Sequence, residues 1–324
     1  NTTVRILEQQ LLSKEQLNGI LVSKSLQQAL EALQKTSYEV DEQEVLESRQ
    51  FDPVLDAHLK RNYDEVLELI PDASLLDVFS IRYTYHNLKV LLKSKFSGKD
   101  LKHLCVPLGR YSLDTLNQLV ETQDSLDVPD IMIEGVREAY ADFENFGRLE
   151  AADVFMDRYY FKHLRLIDRT MNQEVIHQIV NIMIDMENIT TLIRATKQKQ
   201  SRSFLIGVLS SEGTVDKTLL IDEVLEKGTE ALVDLYRHVP YYDKFVAILE
   251  QEEQPVFALE LLKEELIHHI LEEATFEPFG PLPSLAYIHA LEMEVKNLRL
   301  LLVGVDNEFT EEQLRERMRP VYVS

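Results

Sequence analysis

From Leu75 to Lys93 the residues Val78, Ile81, Tyr85, Leu88 and Leu92 fall at spacings of three and four, one apolar stripe along a helix. Arg82, Lys89 and Lys93 take the other side. Ile176 to Arg194 repeats the pattern with Ile179, Met183, Met186 and Ile193. Little in the chain competes with helix. Glycine and proline together fill 20 of 324 positions, about half the usual share, so most of the turns an all-β chain needs are missing. Start signals agree. Ser13-Lys-Glu-Gln16 and Thr310-Glu-Glu-Gln313 read as capping boxes, in which a hydroxyl and a side-chain amide satisfy free N–H groups reciprocally. Pro129 and Pro255 stand where a first helical residue is expected. The apolar, β-branched run Phe204–Leu209 is the one isolated hint of a strand. The spacing predicts an all-α chain.

Composition narrows function by exclusion. A net charge of −22 is the wrong sign for neutralising phosphates or adhering to anionic lipid. The 45% apolar content is too high for disorder. A single cysteine, Cys105, leaves no disulfide framework and no thiolate zinc cluster, and points to a reducing cytosol. The longest stretch free of Asp, Glu, Lys and Arg, Pro278 to Leu291, has 14 residues with three prolines, too short and broken to span a bilayer. The first residues hold no apolar targeting segment. A soluble chain is expected, with any membrane association through another protein. No two glycines lie two apart, and Gly98-Lys99 is followed by Asp100, so neither standard phosphate-cradling loop is present. ATP and NAD are not expected as ligands, and no cofactor is.

Glu174-x-x-His177 and Glu265-x-x-His268 each place a carboxylate and an imidazole on one helix face, the spacing used in di-iron helical bundles. Such a carboxylate enzyme is one alternative, although two further helical glutamates must then converge. On helices this rich in glutamate such pairs arise by chance, the two motifs occupy different places relative to Asn188 and Asn297, and no metal site is expected. A generic helical scaffold is the other alternative, but the short repeat of a solenoid is absent. Cys105, between Leu104 and Val106, reads as a small buried apolar residue. Tyr159-Tyr160-Phe161 and Tyr241-Tyr242 read as anchors near helix starts. The loop Phe276–Pro283 is rigid and apolar, either a plain connection or a partner surface.

Three helices share a local pattern around Asn87, Asn188 and Asn297. Phe96-Ser97, Leu101-Lys102 and Pro107 recur at matching offsets as Phe309-Thr310, Leu314-Arg315 and Pro320. Three copies of a unit of roughly 100 residues, or merely shared helix composition, account for this.

Several stretches together resemble the C subunits of the prokaryotic V/A-type ATPases, relatives of the eukaryotic d subunits. They are the opening Asn1-Thr2-x-x-Arg5-x-x-Glu8, Asp157–Leu164, Asp185–Ala195, Gly280-Pro281-Leu-Pro283 with Tyr287, Glu292, Glu294, Leu298 and Arg299, and the tail Arg317–Val323. The resemblance implies three similar helical domains in a pseudo-three-fold funnel, here 1–110, 111–216 and 217–324. It implies a non-catalytic rotor component of the central stalk. Such a component is a socket between the D and F proteins of the central axle and the membrane proteolipid ring, transmitting torque for ATP-coupled proton or sodium transport. The expected location is cytoplasmic and peripheral to the membrane. No single binding residue transfers. Arg82, Lys89, Arg194 and Arg299, taken as repeat-equivalent polar positions off the core, are the partner-binding candidates, with local ion pairs as the alternative.

Overall fold

A computed structural model describes residues 2–274 and 281–321, excepting the side chains of residues 2 and 3. About 74% of the chain is helical, and no strand occurs among the described residues. The chain packs into two compact units, Asn1–Leu76 with His268–Ser324, and Asp77–Ile267.

The first unit opens with α1 (Thr2–Glu8), α2 (Lys14–Leu21), α3 (Leu26–Gln34), α4 (Glu42–Ser48) and α5 (Asp52–Leu69). The second holds α6 (Asp77–Ser97), α7 (Leu113–Thr122), α8 (Asp130–Phe146), α9 (Ala151–Met171) and α10 (Glu174–Lys197), then α11 (Arg202–Val208), α12 (Lys217–Lys227), α13 (Ala231–Leu235) and α14 (Tyr242–Gln251). The boundary at residues 267 and 268 falls inside α15 (Pro255–Ala274); α16 (Leu282–Asp306) and α17 (Glu311–Arg317) complete the first unit.

Both capping boxes form. Three helix starts share one capping arrangement. Ser13, Ser112 and Asp216 each accept the third N–H of the helix that follows, an otherwise orphaned donor. Each is followed by buried aliphatic residues four and eight positions on: Leu17 and Leu21, Leu116 and Val120, Leu220 and Val224. Pro129 is the residue before α8, whereas Pro255 is the first residue of α15. The run Phe204–Leu209 is not a strand. Ser201 caps α11 there through its hydroxyl, and local capping outweighs β-propensity in so short a run.

In the second unit α6 packs on α7 and α9, and α8 packs on α9. In the first unit α16 is the central element, packed by α1, α2, α3 and α5. The apolar stripes read from the sequence understate this burial. On α6, Val78, Phe79, Ile81, Thr84, Leu88, Val90, Leu91 and Leu92 are all buried, on more than one face. Helices α10 and α16 are likewise buried on most sides, the pattern of core helices rather than of helices with one wet face. Helix α6 packs on α9 within the second unit, and α16 packs on α5 within the first.

The three asparagines have one job. The Asn87 side chain donates from Nδ2 to the Val106 carbonyl and accepts the Val106 N–H at Oδ1, both at 2.8 Å. Asn188 does the same to Ser210, both at 2.9 Å. Asn297 does so to Arg319, at 3.2 and 2.7 Å. Two of the clamped residues, Val106 and Arg319, precede the matched prolines Pro107 and Pro320. A residue before proline is pushed out of the helical region, so its peptide groups need partners outside a helix. One amide supplies both.

Candidate partner-binding site

Arg82 and Lys89 lie two helical turns apart on α6 and line one cleft of about 420 Å³ in the second unit. Helix α9 contributes Asp157, Tyr160 and Phe161 to it, and α10 contributes Glu187. Lys89 Nζ donates to Asp157 Oδ1 at 2.6 Å and stands 3.9 Å from Asp153 Oδ1. Lys93, one turn on, pairs with Asp153 at 2.7 Å. Arg82 donates from Nη2 to the Tyr83 hydroxyl at 2.6 Å, and its guanidinium lies 4.6 Å from the centre of that ring. Beneath the cleft the Tyr85 hydroxyl and His163 Nδ1 are hydrogen-bonded at 3.1 Å, both residues buried. Burial pushes His163 down to about 4 and the Tyr85 hydroxyl well up, so both are neutral at ordinary pH.

The other two candidates lie outside this cleft. Arg194 on α10 pairs with Glu260 of α15. Arg299 on α16 donates from Nε to Asp52 at 2.6 Å and lies 3.7 Å from Asp56. Burial pushes the Asp56 carboxyl up, while Arg299 opposes that. Lys89 and Arg299 are therefore built alike: a cation two residues after the clamp asparagine meets two aspartates one turn apart near the start of a neighbouring helix. Positional equivalence stops there. Arg194 stands six residues after Asn188, the place of Lys93, and the places matching Arg82 hold Met183 and Glu292.

A larger cleft of about 790 Å³ surrounds His177 and Glu174. Its buried arginine, Arg165, donates to Asp168 at 2.7 Å, Asn181 at 2.8 Å and the Glu212 carbonyl at 2.7 Å. His177 Nδ1 sits 2.9 Å from Asp168, while Glu174 accepts from Gln178. The two halves of this Glu-x-x-His motif thus serve separate contacts. In the second motif Glu265 pairs with Lys244 at 2.6 Å. Among the described residues no three His, Cys, Asp or Glu side chains are grouped so as to hold a metal ion.

Over residues 1–317 the chain matches the family model described as ATP synthase (C/AC39) subunit. It belongs to the C/AC39 family. Among its relatives is the C subunit of the V-type sodium ATPase of Enterococcus hirae, 32% identical over 99% of this chain and 98% of that protein. The C subunit of the A-type ATP synthase of Methanocaldococcus jannaschii is 24% identical over 97% of this chain and 84% of that protein. Its counterpart in Methanosarcina acetivorans is 22% identical over 98% and 91%.

In this C/AC39 chain some residues sit otherwise than their sequence implies. Cys105 is half-buried rather than in the core, and burial pushes its thiol up, away from the thiolate form. Tyr159-Tyr160-Phe161 lies within α9, not at its start, with Tyr159 and Phe161 buried. Of the Phe276–Pro283 loop, residues 276–280 lie outside the described residues, as do 322 and 323 of the matching tail. Among the described residues no helix is long and apolar enough to cross a membrane. The asparagine clamps carried a signal in the sequence, the recurring Asn and, for two of them, the matched proline after the clamped residue, but the partners stand 19 to 22 residues away, so the pairing itself was not legible.

Proposed function

We propose that this C/AC39 member is a non-catalytic central-stalk component of a rotary V-type ATPase, a socket that links the D and F proteins of the central axle to the membrane proteolipid ring. It transmits torque between ATP chemistry in the head and the transport of protons or sodium, and lies peripheral to the membrane on the cytoplasmic side. The observation that carries this reading is the match along nearly the whole chain to the C subunit of a V-type sodium ATPase, with both chains covered almost completely.

The three identical asparagine clamps, and the three capped helices with the same buried pair, support a build of three copies over 1–110, 111–216 and 217–324. A torque adaptor needs stiffness, and helices buried on most sides supply it. A charge of −22 steers a basic axle tip toward the protein in a salt-dependent way. Within this reading, Arg82, Lys89, Arg194 and Arg299 mark partner-facing surfaces, where carboxylate pairings hold Lys89, Arg194 and Arg299 and the Tyr83 hydroxyl and ring hold Arg82 in fixed geometry.

A tagged pull-down from detergent-solubilised native membranes tests the proposal. Recovery of the axle proteins and the proteolipid ring is the expected result. Recovery of neither sinks it.

A further inference from the structure

Each clamp helix also grips the chain just before a capped helix. Three residues ahead of the clamp asparagines stand Thr84, Asp185 and Glu294, all buried. Thr84 lies against Gly109, where a Cβ would stand 3.1 Å from the Thr84 Oγ1. Asp185 accepts the Thr214 N–H at 2.8 Å and the Thr214 hydroxyl at 2.5 Å. Glu294 accepts the Leu12 N–H at 2.6 Å. Gly109, Thr214 and Leu12 come three, two and one positions before the caps Ser112, Asp216 and Ser13. In each case the clamp helix packs on the capped helix: α6 on α7, α10 on α12, α16 on α2.

Two of these junctions are also joined by the chain itself. Val106 leads to Ser112, and Ser210 to Asp216, in six positions each. The third has no such link. Asn297 holds Arg319, while Glu294, one turn earlier on α16, holds Leu12. The clamped residue and the capped helix thus come from opposite ends of a linear chain, and non-covalent contacts alone close this junction.

The consequence is entropic. Helix α7 is tied to α6 by residues 106–112 and to α8 by residues 123–129, so letting go of α6 frees little motion. Helices α1 to α5 are tied to the remaining helices at one end, through residues 70–76. A segment held at one end gains far more conformational freedom on release than a loop held at both.

We propose that the α16/α2 junction is the opening seam of the protein: residues 1–69 leave α16 there as one body, while the two junctions of the second unit stay shut.

The contacts across the seam make the release collective. The Tyr38 hydroxyl, just beyond α3, donates to Glu294 at 2.8 Å. Tyr63 of α5 donates to Glu292 at 2.6 Å, and Tyr287 of α16 donates to Asn62 of α5 at 2.7 Å. All these side chains are buried. Breaking one contact alone leaves a buried oxygen short of a partner, whereas releasing the whole segment gives every such group to water. Opening bares the apolar faces of α2, α3 and α16 with the second unit intact, and conformational change draws on segments of such low local stability.

Hydrogen exchange of the full chain, read by mass spectrometry in mild denaturant, tests the seam. Peptides from α2, α3 and α5 are expected to share one opening free energy, lower than those of α7 and α12. Joining residue 324 to residue 1 through a flexible Gly/Ser linker should slow those peptides alone, on the order of ten-fold or more. Exchange graded by distance from the chain start is plain end fraying and overturns the proposal. So does exchange in α2 as slow as in α7 and α12, or an unchanged rate in the cyclised chain. Should the cyclised chain fail to fold, Asn18→Ala decides. Asn18 is exposed on α2 and accepts from Arg315 of α17 across the seam at 2.6 Å. Its loss should speed exchange in α2, α3 and α5 together by roughly five-fold, with α7 and α12 unmoved. No rise, or an equal rise in α7 and α12, overturns the seam.

Discussion

Asn188 shows how much one side chain can carry. Its amide is buried, and it satisfies both the N–H and the carbonyl of buried Ser210. Asn188→Leu removes both partners and leaves two peptide groups without them, at about 1–3 kcal/mol each. A loss of roughly 2–6 kcal/mol is therefore expected in urea unfolding, with a smaller loss for Asn188→Asp, which keeps the acceptor. Glycines separate just as sharply. A Cβ on Gly135 would stand 2.8 Å from Cγ of the buried Tyr159 ring, which cannot swing aside, so Gly135→Ala destabilises by about 1–3 kcal/mol. Gly19, inside α2, meets nothing within 4 Å, so Gly19→Ala gains up to about 1 kcal/mol from helix propensity. Thermal melts of the two variants should shift in opposite directions. Acid sensitivity also sits in single residues. His58 and His163 are held neutral at about 4. Their contribution is fully present above about 6.5 and is lost as pH falls toward 4, about 3 kcal/mol each. Stability measured from pH 7 to 4 should drop, and His163→Gln should flatten part of the drop.

At the level of the helix, what the sequence made legible was local. Ser13 with Gln16 and Thr310 with Gln313 stand within one turn of each other, so both caps could be read without knowing the fold. The apolar stripe on α6 was equally readable. Its second buried face was not, because Thr84 and Asn87 are polar by type and are buried only through what α9 and the Val106 segment bring against them. The partners of Lys89 were hidden for the same reason: Asp153 and Asp157 stand more than 60 positions downstream and become its neighbours only when α6 meets α9. The Glu-x-x-His motifs erred the other way, since a correct spacing on one helix says nothing about which side chains another helix delivers. The paired cations Lys89 and Arg299 are partly exposed, so each contributes modestly. Lys89→Ala or Arg299→Ala should cost less than about 1 kcal/mol, and the cost should shrink further in 1 M salt. A loss of several kcal/mol, unchanged by salt, would contradict that account.

The two compact units make a prediction for the whole chain. Asp77–Ile267 is continuous, whereas the other unit is assembled from the first 76 residues and from His268 onward. Deleting residues 282–321 removes α16, the element around which the first unit packs. Limited proteolysis of that truncated protein should leave a resistant fragment beginning near Asp77, while α1 to α5 are digested. Complete digestion would show that the second unit cannot stand without α16. The discontinuous unit also imposes a schedule on synthesis. Leu12 and Glu294 lie 282 positions apart. At about 5–20 residues per second, a ribosome needs roughly 15 to 55 s to travel between them. For that interval the aliphatic faces of α2 and α3, with Leu17, Ile20, Leu30 and Leu33, wait without the helix that completes their core, while Asp77–Ile267 emerges whole. The N-terminal helices are thus the segment that a nascent-chain chaperone would hold longest.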